Sequence, residues 1–300
     1  MRTIIECVPN VSEGLDRDRV GEIAAAVAAV KGIRLLDVSS DPSHNRSVLT
    51  LVGDAAGVRA AVGALFDAAV PRIDLTKHRG EHQRMGAVDV VPLIPIRGST
   101  VEQCVALSRE IGAEIARRHG IPVYLYEDSA TSEPRRNLAE IRKGEFEGLA
   151  EKMKQPEWAP DFGPGRPHAT AGVVAVGARP PLIAYNINLG TRELAVAEKI
   201  ARAIRHGAGG FRYVKAMGVE LASRGQVQVS INMTNYGKTP LHRVFECVRS
   251  EAQRYGVPIV GSEIVGLTPA EALYRAAEHY LRLEGFSADQ VLETKLLEEE

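Results

Sequence analysis

Residues 80–96, GEHQRMGAVDVVPLIPI, place Glu81, His82 and Arg84 directly before an apolar, β-branched run that predicts a buried strand. A loop that leads into such a strand holds its side chains on a rigid support and leaves them reachable, so binding and catalytic groups concentrate there. The stretch is therefore a candidate functional site. The alternative interpretation is a polar turn, with a solvated histidine and an arginine paired to a neighbour.

A second candidate site lies in DFGPGRPHATAG, residues 161–172. Its glycines permit close approach of the backbone to a flat ligand, and Arg166 and His168 supply hydrogen-bond donors. The segment belongs to residues 127–180, which are rich in proline, glycine and charge and hold the single tryptophan, Trp158. We predict an ordered crossover, because long ordered loops in compact proteins are usually functional or structural. The alternative is a connector stiffened by proline.

Other chemistries find less support in the sequence. There is no GxSxG motif for a serine nucleophile, and we expect no metal. Three widely separated cysteines, with no CxxC pair, indicate buried thiols and not a disulfide framework; they are Cys7, Cys104 and Cys247. His44 could assist at the site. Five other histidines are expected to be solvated, namely His78, His119, His206, His242 and His279.

Length and composition bound the class of protein. The chain has 300 residues, of which 45% are hydrophobic and 25% charged, as in an ordinary soluble globular protein of about two domains. With 37 basic and 38 acidic residues, no electrostatic footprint indicates nucleic acid or an anionic membrane as a partner. The first residues do not resemble a signal peptide, and no apolar run is long enough to span a membrane. A cytoplasmic protein with a small-molecule substrate is expected.

The elements that must position these residues repeat along the chain. Each half contains a β-type run, a helical stretch, two further β-type runs, a second helical stretch and a last β-type run. The order βαββαβ predicts an α/β (α+β) protein of two ferredoxin-like subdomains, each a mainly antiparallel sheet covered by helices. We place the first subdomain, with the crossover, at residues 1–180 and the second at residues 181–300.

Collinear blocks over nearly the whole chain resemble the formiminotransferase domain of the formimidoyltransferase-cyclodeaminase family. They include IIECVPNVSEG, DPSHNRSVLTLVG, GEHQRMGAVDVVPLIPI, PEWAPDFGP, GVVAVGARPPLIAYNINL and VFECVRSEAQRYGVPIVGSEIVGL. The resemblance implies a two-subdomain α/β fold and a homodimer. Bifunctional members carry a cyclodeaminase domain after this one, and that activity is not expected here.

The resemblance also implies a reaction and residues for it. The family transfers the formimino group of N-formimino-L-glutamate to N5 of tetrahydrofolate, its co-substrate. This reaction belongs to histidine degradation and one-carbon metabolism. The catalytic histidine of the family motif falls on His82. The folate-binding segment falls on residues 163–172, that is Gly163, Pro164, Gly165, Arg166, Pro167, His168, Ala169, Thr170, Ala171 and Gly172. Arg166-Pro167-His168 stands where family members vary, so the contacting side chains within the segment stay open.

Such a donor carries two carboxylates, which arginines in site loops would bind. Arg46 and Arg84 are the best placed, because a planar guanidinium grips a carboxylate with two hydrogen bonds; the alternative for both is a surface ion pair. Asn10 is a further candidate ligand, although asparagine before a helix is more often a cap.

The interpretation that follows is a folate-dependent transferase of one-carbon groups. A rival reaction is formyl transfer between 5-formyltetrahydrofolate and glutamate. A rival class is a non-catalytic folate or amino-acid sensor, because paired ferredoxin-like halves also serve as regulatory binding modules.

Overall fold

The computed structural model describes residues 3–221 and 224–298. The chain divides into two compact units, residues 1–180 and residues 181–300. Within the described residues, no helix is both long and apolar enough to cross a membrane.

The first unit is built on a seven-stranded sheet. Its strands are β1 (Ile4–Cys7), β2 (Asn10–Val11), β3 (Ile33–Asp41), β4 (Arg46–Gly53), β5 (Val88–Arg97), β6 (Val123–Glu127) and β7 (Val174–Ala178). Its helices are α1 (Arg17–Ala28), α2 (Ala55–Ala69), α3 (Val101–His119), α4 (Leu138–Arg142) and α5 (Glu145–Lys152).

The strand order contains a ferredoxin-like unit with an extension. β1 and β2 occupy one strand position, because both pair with β4 on one side and with β5 on the other. β3 pairs with β4, and all these pairings are antiparallel. β7 then extends the sheet in parallel to β5, and β6 pairs in parallel with β7. The first sheet is therefore mixed.

One face of this sheet carries the larger core. Helices α1, α2 and α3 pack on it through buried apolar stripes that include Ile23, Leu65 and Ile111. Each helix begins at a side-chain cap, because Asp16, Asp54 and Thr100 accept hydrogen bonds from the first turns. The three caps set where the loops end and the helices begin.

The opposite face is covered by the crossover. Val90 of β5 packs there with Tyr124, Ile141 and Trp158. Because both faces are covered, the strand after the His82 loop is apolar along most of its length instead of alternating. The ordered crossover is confirmed, with helices α4 and α5 inside it; strand β7, also inside it, was not predicted.

Polar contacts fix the crossover to the sheet. Lys152 donates from Nζ to the carbonyl of Ile141 at 2.8 Å, at the C-terminal end of α4, and lies 3.9 Å from the Trp158 ring centroid. Arg135 and Asp161 form a buried ion pair at 3.0 Å, and Asp161 also accepts from the backbone N–H of Leu125 in β6 at 2.8 Å. These contacts place α4, which carries Arg142.

The second unit is a four-stranded antiparallel sheet in the order β11, β8, β10, β9. Its strands are β8 (Ile183–Leu189), β9 (Val214–Leu221), β10 (Gln226–Met233) and β11 (Ile259–Val265), and its helices are α6 (Leu194–Ile204), α7 (Leu241–Arg254), α8 (Ala270–Leu281) and α9 (Leu292–Glu298). This order is again ferredoxin-like. The predicted fold class is confirmed, with the mixed first sheet as the difference from two mainly antiparallel sheets.

Candidate functional site

The loop that carries His82 is held at its far end by Asp89, the second residue of β5. Asp89 is 2% exposed, and its Oδ1 accepts from the backbone N–H groups of Met85 at 2.7 Å and Gly86 at 3.3 Å. Its Oδ2 accepts from Nε of Arg142 at 2.8 Å. The loop is thus fastened to the strand below it and to helix α4.

His82 makes two hydrogen bonds that define its tautomer. Nδ1 lies 2.6 Å from the carbonyl oxygen of Gln83, so this nitrogen carries the proton and donates. Nε2 lies 2.9 Å from Nη1 of Arg46, so it accepts. Burial lowers the pKa of His82 to about 4, with further lowering by the charges of Arg46 and Arg142 and opposition from Asp89. The imidazole is neutral and its Nε2 lone pair points at Arg46.

Arg46, the first residue of β4, is half-buried without a carboxylate partner among the described residues. Its Nε is buried and makes no hydrogen bond to any residue that the structure describes. The pKa of Arg46 is lowered to about 10 by burial and by the charge of Arg142. The charges of Asp89 and Asp41 act in the opposite direction and raise it. A partly buried guanidinium without a carboxylate partner favours the binding of an anion.

Arg84, in contrast, already binds two carboxylates. Nη1 and Nη2 bind the two oxygens of Glu147 at 2.8 and 2.7 Å, Nη1 also reaches Glu145 at 3.1 Å, and Nε donates to Nδ1 of His78 at 3.3 Å. The hydrogen bond from Arg84 holds the pKa of Glu147 at about 2. Arg84 thereby anchors the loop to helix α5.

The second predicted segment lies directly against the His82 loop. Ala87 donates its N–H to the carbonyl of Ala171 at 3.0 Å, and Val173 donates to the carbonyl of Met85 at 2.9 Å. His168 closes the turn before this contact, because its backbone exchanges hydrogen bonds with Gly172. The structure therefore brings the end of the His82 loop and the end of residues 163–172 together.

Within residues 163–172 exposure changes along the segment. Residues 163–166, including Arg166, are exposed, whereas Ala171 and Gly172 are buried. His168 is half-buried, and its Nδ1 accepts from the N–H of Ala171 at 3.0 Å. The ring proton of neutral His168 is therefore on Nε2, where it can donate to a ligand.

His44 and Asn10 differ in the contacts that they make. The His44 ring centroid lies 5.6 Å from that of His82, and its Nδ1 lies 3.2 Å from Asp41. Asn10 is buried in β2 and donates from Nδ2 to the carbonyl of Val8 at 2.9 Å. Asp16, and not Asn10, caps α1.

Three residues that support the site were not identified from the sequence as belonging to it. Asp89 sits inside an apolar run, and Arg142 lies in the crossover. Asn45 has φ 48° and donates from Nδ2 to the carbonyl of Arg79 at 2.8 Å, which ties the turn before Arg46 to the His82 loop. A polar residue inside a continuous apolar strand was the one signal that could have found Asp89.

The prediction of a solvated His78 is wrong. His78 is 7% exposed, and its Nε2 donates to the carbonyl of Asn45 at 2.8 Å. Cys7 and Cys104 are buried as predicted, and Cys247 is half-buried.

Open space beside the loop lies on the Arg84 side. A groove of about 460 Å³ is lined by Gln83, Ala139, Glu140, Lys143, Gly144, Glu145 and Glu147. Its carboxylates make it unsuited to a dianion. Among the described residues, no group of three or more histidine, cysteine, aspartate or glutamate side chains is placed to hold a metal ion.

Two family models match the chain and cover both units. The model described as the formiminotransferase domain, N-terminal subdomain, matches residues 4–179. The model described as the formiminotransferase domain matches residues 184–297.

Individual relatives match over almost the full chain. The chain is 50% identical over 298 residues to the glutamate formimidoyltransferase of Streptococcus pyogenes serotype M1, covering 99% of this chain and 100% of that protein. It is 48% identical to the glutamate formimidoyltransferase of Thermoplasma acidophilum, covering 98% of this chain and 97% of that protein. With the formimidoyltransferase-cyclodeaminase of Dictyostelium discoideum the identity is 42%, covering 99% of this chain and 56% of that protein. The chain belongs to the formiminotransferase domain family.

Proposed function

We propose that the protein is a glutamate formimidoyltransferase, which transfers the formimino group from N-formimino-L-glutamate to N5 of tetrahydrofolate. Relatives with this name are 50% and 48% identical over nearly the whole chain. The observation that carries the proposal is the contact of the His82 loop with residues 171–173. It joins the loop that carries His82 to the segment that is proposed to bind folate.

The reaction requires two proton movements, and His82 is proposed to make both. N5 attacks the formimino carbon, a C–N bond forms, and Nε2 of His82 accepts the N5 proton. His82 then returns that proton to the glutamate nitrogen, the bond between this nitrogen and the formimino carbon breaks, and glutamate leaves as an amine. The hydrogen bond from Nδ1 to the carbonyl of Gln83 keeps the ring oriented in both steps.

Arg46 is the preferred anchor for a donor carboxylate. It has no carboxylate partner among the described residues, and its Nε makes no hydrogen bond. Arg84 already binds Glu145 and Glu147, so we assign it to holding the loop. His44 stands beside His82 and would contact the donor, whereas the amide of Asn10 is turned to its own backbone.

Residues 163–172 are proposed to form the wall against which folate binds. The exposed residues Gly163, Pro164 and Gly165 leave the backbone open to a flat pterin ring. Arg166 and Nε2 of His168 supply donors. No metal is assigned a role in the reaction.

The remaining assignments follow from the family. Residues 1–180 would be the N-terminal formiminotransferase subdomain with its crossover, and residues 181–300 the C-terminal subdomain. We further propose a cytoplasmic homodimer that serves histidine degradation and one-carbon metabolism, with no nucleic acid or membrane partner.

The test is a stopped assay of the purified protein with N-formimino-L-glutamate and tetrahydrofolate, following 5-formiminotetrahydrofolate. Turnover is the expected result. A parallel reaction contains 5-formyltetrahydrofolate and glutamate; if only that pair reacts, the protein is a formyltransferase. Folate binding without turnover of either pair would show a sensor and refute the enzyme.

A further inference from the structure

We propose that Arg46 is a lock on His82, opened by a carboxylate of the amino-acid donor. In the closed state Nη1 of Arg46 donates to Nε2 of His82 at 2.9 Å. A neutral imidazole whose Nδ1 carries the proton has one remaining lone pair, on Nε2. While Arg46 donates a hydrogen bond to this lone pair, His82 cannot accept a proton from N5 of tetrahydrofolate. The inference rests on the proposed function and names how one substrate prepares the base for the other.

The charges that face His82 leave room for one anion. The loop is approached by His44 from the turn between β3 and β4, by Arg46 from β4, by Asp89 from β5 and by Arg142 from α4. The cluster thus holds two cations, Arg46 and Arg142, and one buried carboxylate, Asp89. Asp41 acts on Arg46 but is exposed and lies 3.2 Å from His44. An incoming carboxylate would balance the cluster.

Arg46, and not Arg142, is the arginine that can change partner. Arg142 binds Oδ2 of Asp89, and the other oxygen of Asp89 holds the backbone of Met85 and Gly86. Moving Arg142 would release the loop and strand a buried carboxylate. Among the described residues, the side chain of Arg46 has only the bond to His82 to give up, and its unpartnered Nε would gain an acceptor.

The pKa values agree with this geometry. After burial, the charge of Arg46 is the largest cause that lowers the pKa of His82. Arg46 remains charged at neutral pH, since its own pKa is about 10. A carboxylate paired with Arg46 would cancel this effect and free Nε2, so His82 becomes a stronger base when the donor is bound. A donor without carboxylates would leave the lock closed.

The test is a titration of His82 by NMR, using the ring Cε1–H resonance assigned by its absence in His82→Gln. The probe is L-glutamate, and the control probe is its diamide, which keeps the ammonium group and lacks both carboxylates. In the wild type, glutamate should raise the pKa of His82 by at least about one unit, and the diamide should not. Arg46→Gln should show the raised pKa without ligand and no response to glutamate, whereas Arg46→Lys should retain a response.

Arg72→Gln is the matched control, because Arg72 is an arginine of the first unit that pairs with Glu22 on the surface. It should behave as the wild type does. The lock is overturned if Arg46→Gln leaves the pKa of His82 at the wild-type value, or if glutamate fails to move it in the wild type. Arg46→Gln is first checked for folding by thermal unfolding, and if it does not fold, the glutamate response of the wild type and Arg46→Lys decides. A glutamate response without formimino transfer would keep the lock and refute the proposed function.

Discussion

Gly86 and Gly172 face each other in an antiparallel bridge, and neither position has space for a side chain. A Cβ on Gly86 would lie 2.0 Å from the carbonyl oxygen of Val173, and a Cβ on Gly172 would lie 2.0 Å from that of Met85. Gly172 also has φ +67°, which disfavours any other residue. The two glycines allow the loop of the proposed acid/base residue, His82, to touch the segment proposed to bind folate.

Gly86→Ala is therefore expected to destabilise the first unit. The methyl group meets backbone on both sides, and strand β5 cannot shift without repacking the core, so we expect a loss of about 1–3 kcal/mol in the free energy of unfolding. Urea unfolding measures this. Gly165→Ala is the control, because nothing lies within 4 Å of its Cβ, and its change should stay within about 0.5 kcal/mol. Equal stability of both variants would refute the close contact.

His82→Ala is expected to retain the fold and to lose formimino transfer by at least about two decades in rate. The half-buried ring makes its hydrogen bonds to Arg46 and to the carbonyl of Gln83, so few core contacts are lost. His206→Ala is the control, because His206 is exposed in the second unit. A variant of His82 with undiminished turnover would remove the histidine from the mechanism and leave the enzyme.

The sequence pointed to the two segments of the candidate site but not to the residues that hold them together. The boundary between loop and strand marks His82 in the sequence, and the glycine-rich composition marks residues 163–172. Both signals are local, so a single sequence shows them. Asp89 was hidden because it stands in a strand covered on both faces, and Arg142 because its partner lies 53 residues away along the chain. β7 was missed because VAVGA is short and rich in small residues, so its pattern does not separate it from a loop.

The pH dependence of stability should report the buried state of His82. Its pKa falls from an ordinary value near 6.5 to about 4 on folding. Between these values the unfolded chain binds more protons than the folded one, so this residue makes stability fall as pH falls. His82→Gln removes the contribution. Its loss of Tm between pH 7.5 and pH 4.5 should be smaller than that of the wild type, measured by thermal unfolding.

His119 and His242 also have lowered pKa values, but they titrate in both proteins and cancel in the comparison. An equal loss of Tm in the two proteins would mean that His82 is solvated. Such a result would also remove the electrostatic basis of the contact with Arg46.

The ion pair of Asp89 and Arg142 should behave as a coupled unit that supports the loop. Asp89→Asn keeps an oxygen for the N–H groups of Met85 and Gly86 but leaves Arg142 buried without its partner, so we expect a loss of about 3–5 kcal/mol in the free energy of unfolding. Arg142→Met strands the carboxylate instead and should cost a similar amount.

The double variant, Asp89→Asn with Arg142→Met, should lose clearly less than the sum of the two single losses. It removes both charges of the pair, and the asparagine oxygen still binds the loop backbone. A double-mutant cycle by urea unfolding measures the coupling, for which about 0.5–3 kcal/mol is expected. Strictly additive losses would mean that the two side chains do not stabilise each other. If the double variant turns over faster than Asp89→Asn alone, Asp89 acts on turnover by positioning the loop. Its charge is not what turnover needs, because neither replacement restores a charge near His82.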